Sequence, residues 1–286
     1  MNKNSTLLIT ALAPMIWGSS YIVSTQFLIN LSPLTISFFR AVPAGLLLLI
    51  LVRELPKGIW IPRMFLLGAL NFSIFWSLLF FAAHRLPGGV AAILGALQPF
   101  IVIFAARYFL GSPIRIWSLV AVLAGFIGVA LLILTPDASL NFSGVVAGLL
   151  GSVSMALGTV LSRKWHPPVS SLTFTAWQLT AGGLLLLPFL LLNPSELTEI
   201  TTRNIWGLAY LGLVGGAITY VIWLRGVKLI HPSAVSILGF LSPTTATLLG
   251  WLLLEEVLSG IQITGILIIL SSVFWGQYTL REKSPA

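Results

Sequence analysis

Ten membrane-spanning helices, arranged as two inverted five-helix repeats, are the all-α fold that this sequence predicts. Three observations carry it: a charge-poor apolar composition, apolar stretches of the length a bilayer demands, and a motif that recurs between the two halves. The chain has 286 residues, of which 57% are hydrophobic and 8% charged; a soluble domain has about 45–50% and about 25%. An ordinary soluble enzyme, a nucleic-acid binder and a disordered chain are excluded on that ground. The net charge of +8 comes from 15 scattered basic residues that form no run, so no nucleic-acid partner is expected. With no Cys, there is no disulfide, thiolate metal site or cysteine nucleophile.

A membrane helix needs about 20 mostly apolar residues. Stretches free of Asp, Glu, Lys and Arg place spans near 6–26, 34–52, 64–82, 90–109, 115–134, 143–162, 171–192, 206–224, 234–253 and 261–280. The first two are separated at the turn signal Asn30-Leu-Ser-Pro33, and the first is read as a retained helix, not a signal peptide. With the N-terminus inside, Lys3, Arg53, Lys57, Arg63, Arg107, Arg115, Arg163, Lys164, Arg225, Lys228, Arg281 and Lys283 all face the cytoplasm, leaving Arg85 and Arg203 outside and Arg40 within a span. Cytoplasmic loops carry the Lys/Arg excess, so both termini are expected there.

The repeat is read from Ile93-Leu-Gly-Ala-Leu97-Gln-Pro99 and Ile237-Leu-Gly-Phe-Leu241-Ser-Pro243, at an offset of 144 residues. Leu34-Thr35 with Gly45-Leu-Leu-Leu-Leu49 match Leu172-Thr173 with Gly183-Leu-Leu-Leu-Leu187 at an offset of 138. The boundary falls between 1–137 and 138–286. Five spans is an odd number, so the second half starts on the opposite membrane face. Inverted repeats are a mark of secondary transporters, with substrate near the midplane at the repeat interface.

Ala13-Pro14-Met-Ile-Trp17-Gly18-Ser19, Arg40-Ala41, Leu97-Gln-Pro99 and Leu241-Ser-Pro243 with Glu255-Glu256 resemble the drug/metabolite transporter superfamily, and within it the EamA-type ten-helix permeases. Arg85-Leu-Pro-Gly-Gly-Val90-Ala-Ala and Thr10-Ala-Leu-Ala-Pro14 are similar to the branch of PecM-like metabolite and pigment exporters. The first repeat departs from the second, with Gly111-Ser112 where the other has the acidic pair. The resemblance implies export of small organic metabolites across a bacterial inner membrane.

Pro99 and Pro243 fall near mid-bilayer and are expected to kink their helices, freeing the carbonyls of Gly95 and Gly239; simple packing kinks are the plainer reading. Arg40 is the one charge deep in a span, about six residues or roughly 9 Å from its outer end. It either lines a cavity and meets a substrate carboxylate or snorkels to the interface; Gln178 holds the matching place in the second repeat. Gln98 and Asn71 are polar groups at depth that either orient a ligand or bond another helix. Trp17, Trp76, Trp177 and Tyr220 lie deep enough to wall an aromatic pocket, the alternative for each being lipid-facing or core packing. Small residues on the fifth and sixth spans, among them Gly125, Gly128, Gly148 and Ser152, read as scaffold for close helix approach. His84, His166 and His231 stand at span ends, too scattered for a metal cluster, and are expected at the surface.

All seven acids fall in loops or at span ends, so no familiar proton relay is visible. The expected partners are a small-molecule substrate and the lipid bilayer, with a homodimer left open; no cofactor, metal or catalytic residue is expected. The alternatives are an intramembrane lipid-modifying enzyme, which lacks any clustered catalytic signature, and a channel, which lacks filter rings.

Overall fold

The apolar stretches fold as helices, and the described structure is all-helical. A computed structural model describes residues 3–86, 94–133, 141–192, 200–253 and 258–281. The expectations on Pro87 to Ile93, Asp137, Glu255 and Glu256 lie outside those residues. The helices are α1 (Lys3–Phe27), α2 (Pro33–Val52), α3 (Trp60–Gly68), α4 (Ile74–Ala83), α5 (Gln98–Leu110), α6 (Ile116–Ile133), α7 (Phe142–Lys164), α8 (Ser171–Leu191), α9 (Thr202–Ala209), α10 (Thr219–Leu229), α11 (Pro232–Leu238), α12 (Leu241–Leu253) and α13 (Gly260–Arg281). Two π-helical segments, π1 (Ala69–Ser73) and π2 (Tyr210–Ile218), join α3 to α4 and α9 to α10. Among the described residues, eight helical runs, one of them spanning the turn at 239–240, are long and apolar enough to cross a membrane, and Gln98–Leu110 and Ile116–Leu132 are shorter apolar helices. The chain is therefore a multi-span membrane protein.

Helix starts follow local chemistry. The Ser32 and Ser170 side chains accept from the N–H groups of Thr35 and Thr173, capping α2 and α8. Thr201 and Asn204 form a reciprocal capping box on α9, and Asn204 also donates to the Phe27 carbonyl at 2.6 Å, tying α9 to the end of α1.

The proline expectation needs correction. Among the described residues, Pro14, Pro43 and Pro188 stand inside helices. Pro99 stands in the first turn of α5, and Pro243 is the third residue of α12. Both follow a break, at residues 96–97 and 239–240, where a missing N–H costs no helical bond. The Gly239 carbonyl is not freed, because the Ser242 N–H donates to it at 3.0 Å. The spans holding the repeated motif are thus interrupted, not merely bent.

Close backbone approach sets the helix packing. A Cβ on Gly68 would lie 2.6 Å from the Gly182 nitrogen, and one on Gly182 would lie 2.7 Å from the Gly68 carbonyl oxygen, so α3 and α8 touch backbone to backbone. Gly128 and Gly265 do the same for α6 and α13. Gly148 packs on Leu94, and Gly125 on the Phe240 ring. Helices in lipid associate through such contacts, because burial from water contributes little there.

Candidate functional site

Trp17, Arg40, Trp76 and Tyr220 come together at one point. π2 explains how. At its end the Thr219 N–H donates to Val214 and Gly216, passing over Gly215. The Gly215 oxygen instead accepts from Arg40 Nη2 at 3.0 Å, Trp17 Nε1 at 3.1 Å and Thr219 Oγ1 at 2.8 Å. A π segment shifts the backbone bonding register, and here three side chains from three spans converge on one carbonyl. Trp17 Nε1 is also 2.8 Å from Thr219 Oγ1.

Rings close around this point. Trp17 lies 4.9 Å from Tyr220 and 5.1 Å from Trp223, and Phe72 lies 4.6 Å from Tyr220, centroid to centroid. Trp76 meets Tyr220 edge-on at 5.7 Å. The Arg40 guanidinium lies over the Trp76 ring at 4.4 Å, a cation–π contact strengthened by desolvation. Arg40 is only 4% exposed, so it is buried in the protein. Gly215 is flanked by Arg40 and by Ser20, whose buried hydroxyl has no hydrogen-bond partner.

Asn71 and Gln178 form a second, adjoining cluster. Asn71 Nδ2 donates to Gln178 Oε1 at 2.8 Å and to Ser162 Oγ at 3.1 Å. Both residues are fully buried, and Gln178 Nε2 has no partner. The two clusters correspond by sequence offset. Arg40 plus 138 is Gln178, and Asn71 plus 144 is Gly215. Arg40 from the first half reaches π2 in the second, and at the matching offset Gln178 from the second half meets Asn71 of π1 in the first.

The remaining candidates stand elsewhere. Trp177 Nε1 donates to the Glu54 carbonyl at 2.6 Å, so it pins α8 to the segment after α2 and does not join the aromatic cluster. Gln98 opens α5, with its buried Nε2 unpartnered. A Cβ at Gly95 would meet nothing within 4 Å, whereas one at Gly239 would meet the Ser236 carbonyl oxygen at 3.0 Å. Gly215, the hub of the first cluster, escaped sequence reasoning because it acts through its backbone. The Gly212, Gly215, Gly216 run in an apolar span was its only signal.

The histidine expectation holds for His84, which is exposed, while His166 and His231 are half-buried. His166 packs edge-on against Phe174 at 5.0 Å, and His166 Nε2 and His231 Nδ1 are buried. Burial, then Lys228 and Arg163, push His166 down to about 4; burial, then Arg115 and Arg163, do the same to His231. An unfolded histidine takes up its proton near 6.5, so the stability these neutral rings contribute is complete above that pH and is lost as pH falls toward about 4. Thermal unfolding in detergent at pH 7 and pH 5 should show a lower midpoint at pH 5, and His166→Gln with His231→Gln should narrow the difference.

The comparisons with known proteins agree on the class. The model of the EamA-like transporter family matches twice, over residues 4–134 and 142–275. Protein PecM of Dickeya dadantii is 46% identical over 263 residues, covering 91% of this chain and 88% of its own length. The uncharacterized inner membrane transporter YedA of Escherichia coli is 27% identical, with 94% of this chain and 90% of that protein covered. A solved crystal structure superposes with a TM-score of 0.81 at 17% identity, covering 99% of this chain and 100% of the other, which shows likeness of fold. The family and the Escherichia coli relative are transporters by name, and a transporter is not an enzyme. The chain belongs to the EamA-like transporter family, within the drug/metabolite transporter superfamily, and is a multi-pass membrane transporter of a small molecule.

Proposed function

We propose that the protein is a secondary transporter that exports a small amphipathic or aromatic metabolite by alternating access, with Arg40 receiving an anionic group of the substrate. The observation that carries this reading is a pair of polar contacts between the halves at matching positions: Arg40 donates to the Gly215 oxygen, and Gln178 accepts from the Asn71 amide. Two similar halves of opposite sense can exchange conformations, which gives inward- and outward-facing states of similar energy. Ten spans in two inverted repeats, 1–137 and 138–286, are part of this proposal. It is supported by π1 and π2 at matching positions and by the packing pairs α1–α12 with α5–α7, and α1–α10 with α4–α7.

Trp76, Tyr220 and Phe72 are almost fully buried against one another, so a substrate that reaches Arg40 displaces these rings. Trp17, only partly buried, is the ring it meets on the way. Gln98 beside the open space at Gly95 provides a second polar contact. Residence in a bacterial inner membrane with both termini cytoplasmic is part of the proposal, supported by the basic-residue bias and by the name of the Escherichia coli relative.

A growth-protection screen tests the proposal. Cells with and without the protein are exposed to toxic amino-acid analogues, dyes and aromatic carboxylates. Protection against at least one compound is expected, and it is lost in Trp17→Ala although the variant still reaches the membrane. Equal sensitivity to all compounds, or full protection by Trp17→Ala, contradicts the proposal.

A further inference from the structure

Two groups of helices flank the aromatic centre. One comprises α3 with π1 and α4, α5 and α7; the other comprises α1, α9 with π2 and α10, α11 and α12. Each packs extensively within itself, as in α4–α7 and α5–α7, or α1–α10 and α1–α12. Among the described residues, the principal packing between the groups pairs α7 with α10, α7 with α11, and α5 with α11. These elements occupy the end of the bundle where Arg115, Arg163, Arg225 and Lys228 place the cytoplasm.

Arg163 bridges the groups at that end. It stands in the last turn of α7. Its Nη1 donates to the carbonyls of Val227 at 2.6 Å, Lys228 at 2.7 Å and Ile230 at 2.8 Å. Val227 and Lys228 stand in the last turn of α10 and Ile230 is its C-cap, where carbonyls lack an intrahelical donor and the negative end of the helix dipole lies. A guanidinium there is bonded and electrostatically favoured. One turn earlier on the same face of α7, Thr159 is fully buried at the seam, its hydroxyl unpartnered.

We infer that Arg163 is the latch of a cytoplasmic gate, holding α7 against the end of α10 while the opposite face is open and releasing those carbonyls when the inner face opens. The inference rests on the alternating-access reading above and adds the residue that sets the resting state. Arg163 touches no part of the aromatic centre through these bonds, so it acts on transport by positioning the two groups.

Because the chain has no native Cys, single cysteines report the gate cleanly. Thr159→Cys reports the inner seam, and Ser20→Cys reports the outer half of α1 beside Gly215. Each is labelled with a membrane-impermeant maleimide, the first in inverted vesicles and the second in whole cells. Adding Arg163→Gln is expected to raise labelling of the Thr159→Cys protein ~10-fold or more, since several bonds to a charged donor are lost, and to lower labelling of the Ser20→Cys protein. Arg163→Lys, which keeps the charge, should restore most of the parental rates. Unchanged labelling at the inner seam in membrane-inserted Arg163→Gln overturns the inference, as does an equal rise at both probe positions, which marks general loosening. The readout needs no substrate, so absence of flux with an intact accessibility response would count against the transport reading and leave the gate standing.

Discussion

Arg40→Gln is expected to weaken transport severely while the protein still inserts and folds. The substitution removes the donor at 3.0 Å from the Gly215 oxygen and the cation 4.4 Å from the Trp76 ring centroid. A hydrogen bond to a charged group contributes about 1.5–3 kcal/mol, so affinity for an anionic substrate should fall ~10-fold to ~150-fold. Folding should survive because the second repeat already carries a buried glutamine at the matching place, Gln178. Arg40→Lys should fall between the two, since an ammonium keeps the charge but loses the planar fork that spans carbonyl and ring. Uptake kinetics in proteoliposomes, with the monodisperse fraction measured in parallel, separate the effect on transport from any effect on folding.

Gly182→Val should have the largest effect on stability. Its side chain would begin 2.7 Å from the Gly68 carbonyl oxygen and 3.0 Å from Phe72 Cβ. Backbone cannot rotate aside as a flexible side chain can, so α3 and α8 must separate. Overpacking ordinarily costs about 1–3 kcal/mol, and a backbone-to-backbone clash lies at or beyond the upper end. The displaced Phe72 ring lies 4.6 Å from Tyr220, which carries the disturbance to the transport centre. Fluorescence-detected size-exclusion should show loss of the monodisperse peak for Gly182→Val. Gly95→Ala, placed where a Cβ meets nothing within 4 Å, should retain it.

What was legible in the sequence follows from what each signal encodes. Charge-free stretches report span positions directly, because the cost of a charge in hydrocarbon acts residue by residue. Arg40 was legible for the same reason, as were Trp76 and Tyr220 through the 144-residue offset that pairs them. The Gly215 carbonyl was not, because every residue carries that atom and only the π register shows where it is released. Trp177 and Gln178 are neighbours in sequence, yet one meets Glu54 and the other Asn71. Adjacent helical residues point about 100° apart, and only tertiary packing decides which face meets which partner. Pro99 and Pro243 read as bends within spans, but a proline in an apolar run does not distinguish a bend from a new helix start. Arg163 read as one more cytoplasmic cation, and its role at the end of α10 depends on the approach of two distant segments.

Substrate passing through the Arg40–Trp76–Tyr220 centre by exchange between two states of similar energy gives uptake that internal substrate accelerates. Counterflow in proteoliposomes tests it most directly. Vesicles are preloaded with an unlabelled aromatic amino acid or carboxylate from a small panel, and uptake of the same labelled compound is followed. A transient overshoot of label is expected for at least one compound, saturable and severely weakened in Arg40→Gln. Linear uptake for every compound, unaffected by internal substrate and equal in Arg40→Gln, would contradict exchange through this centre.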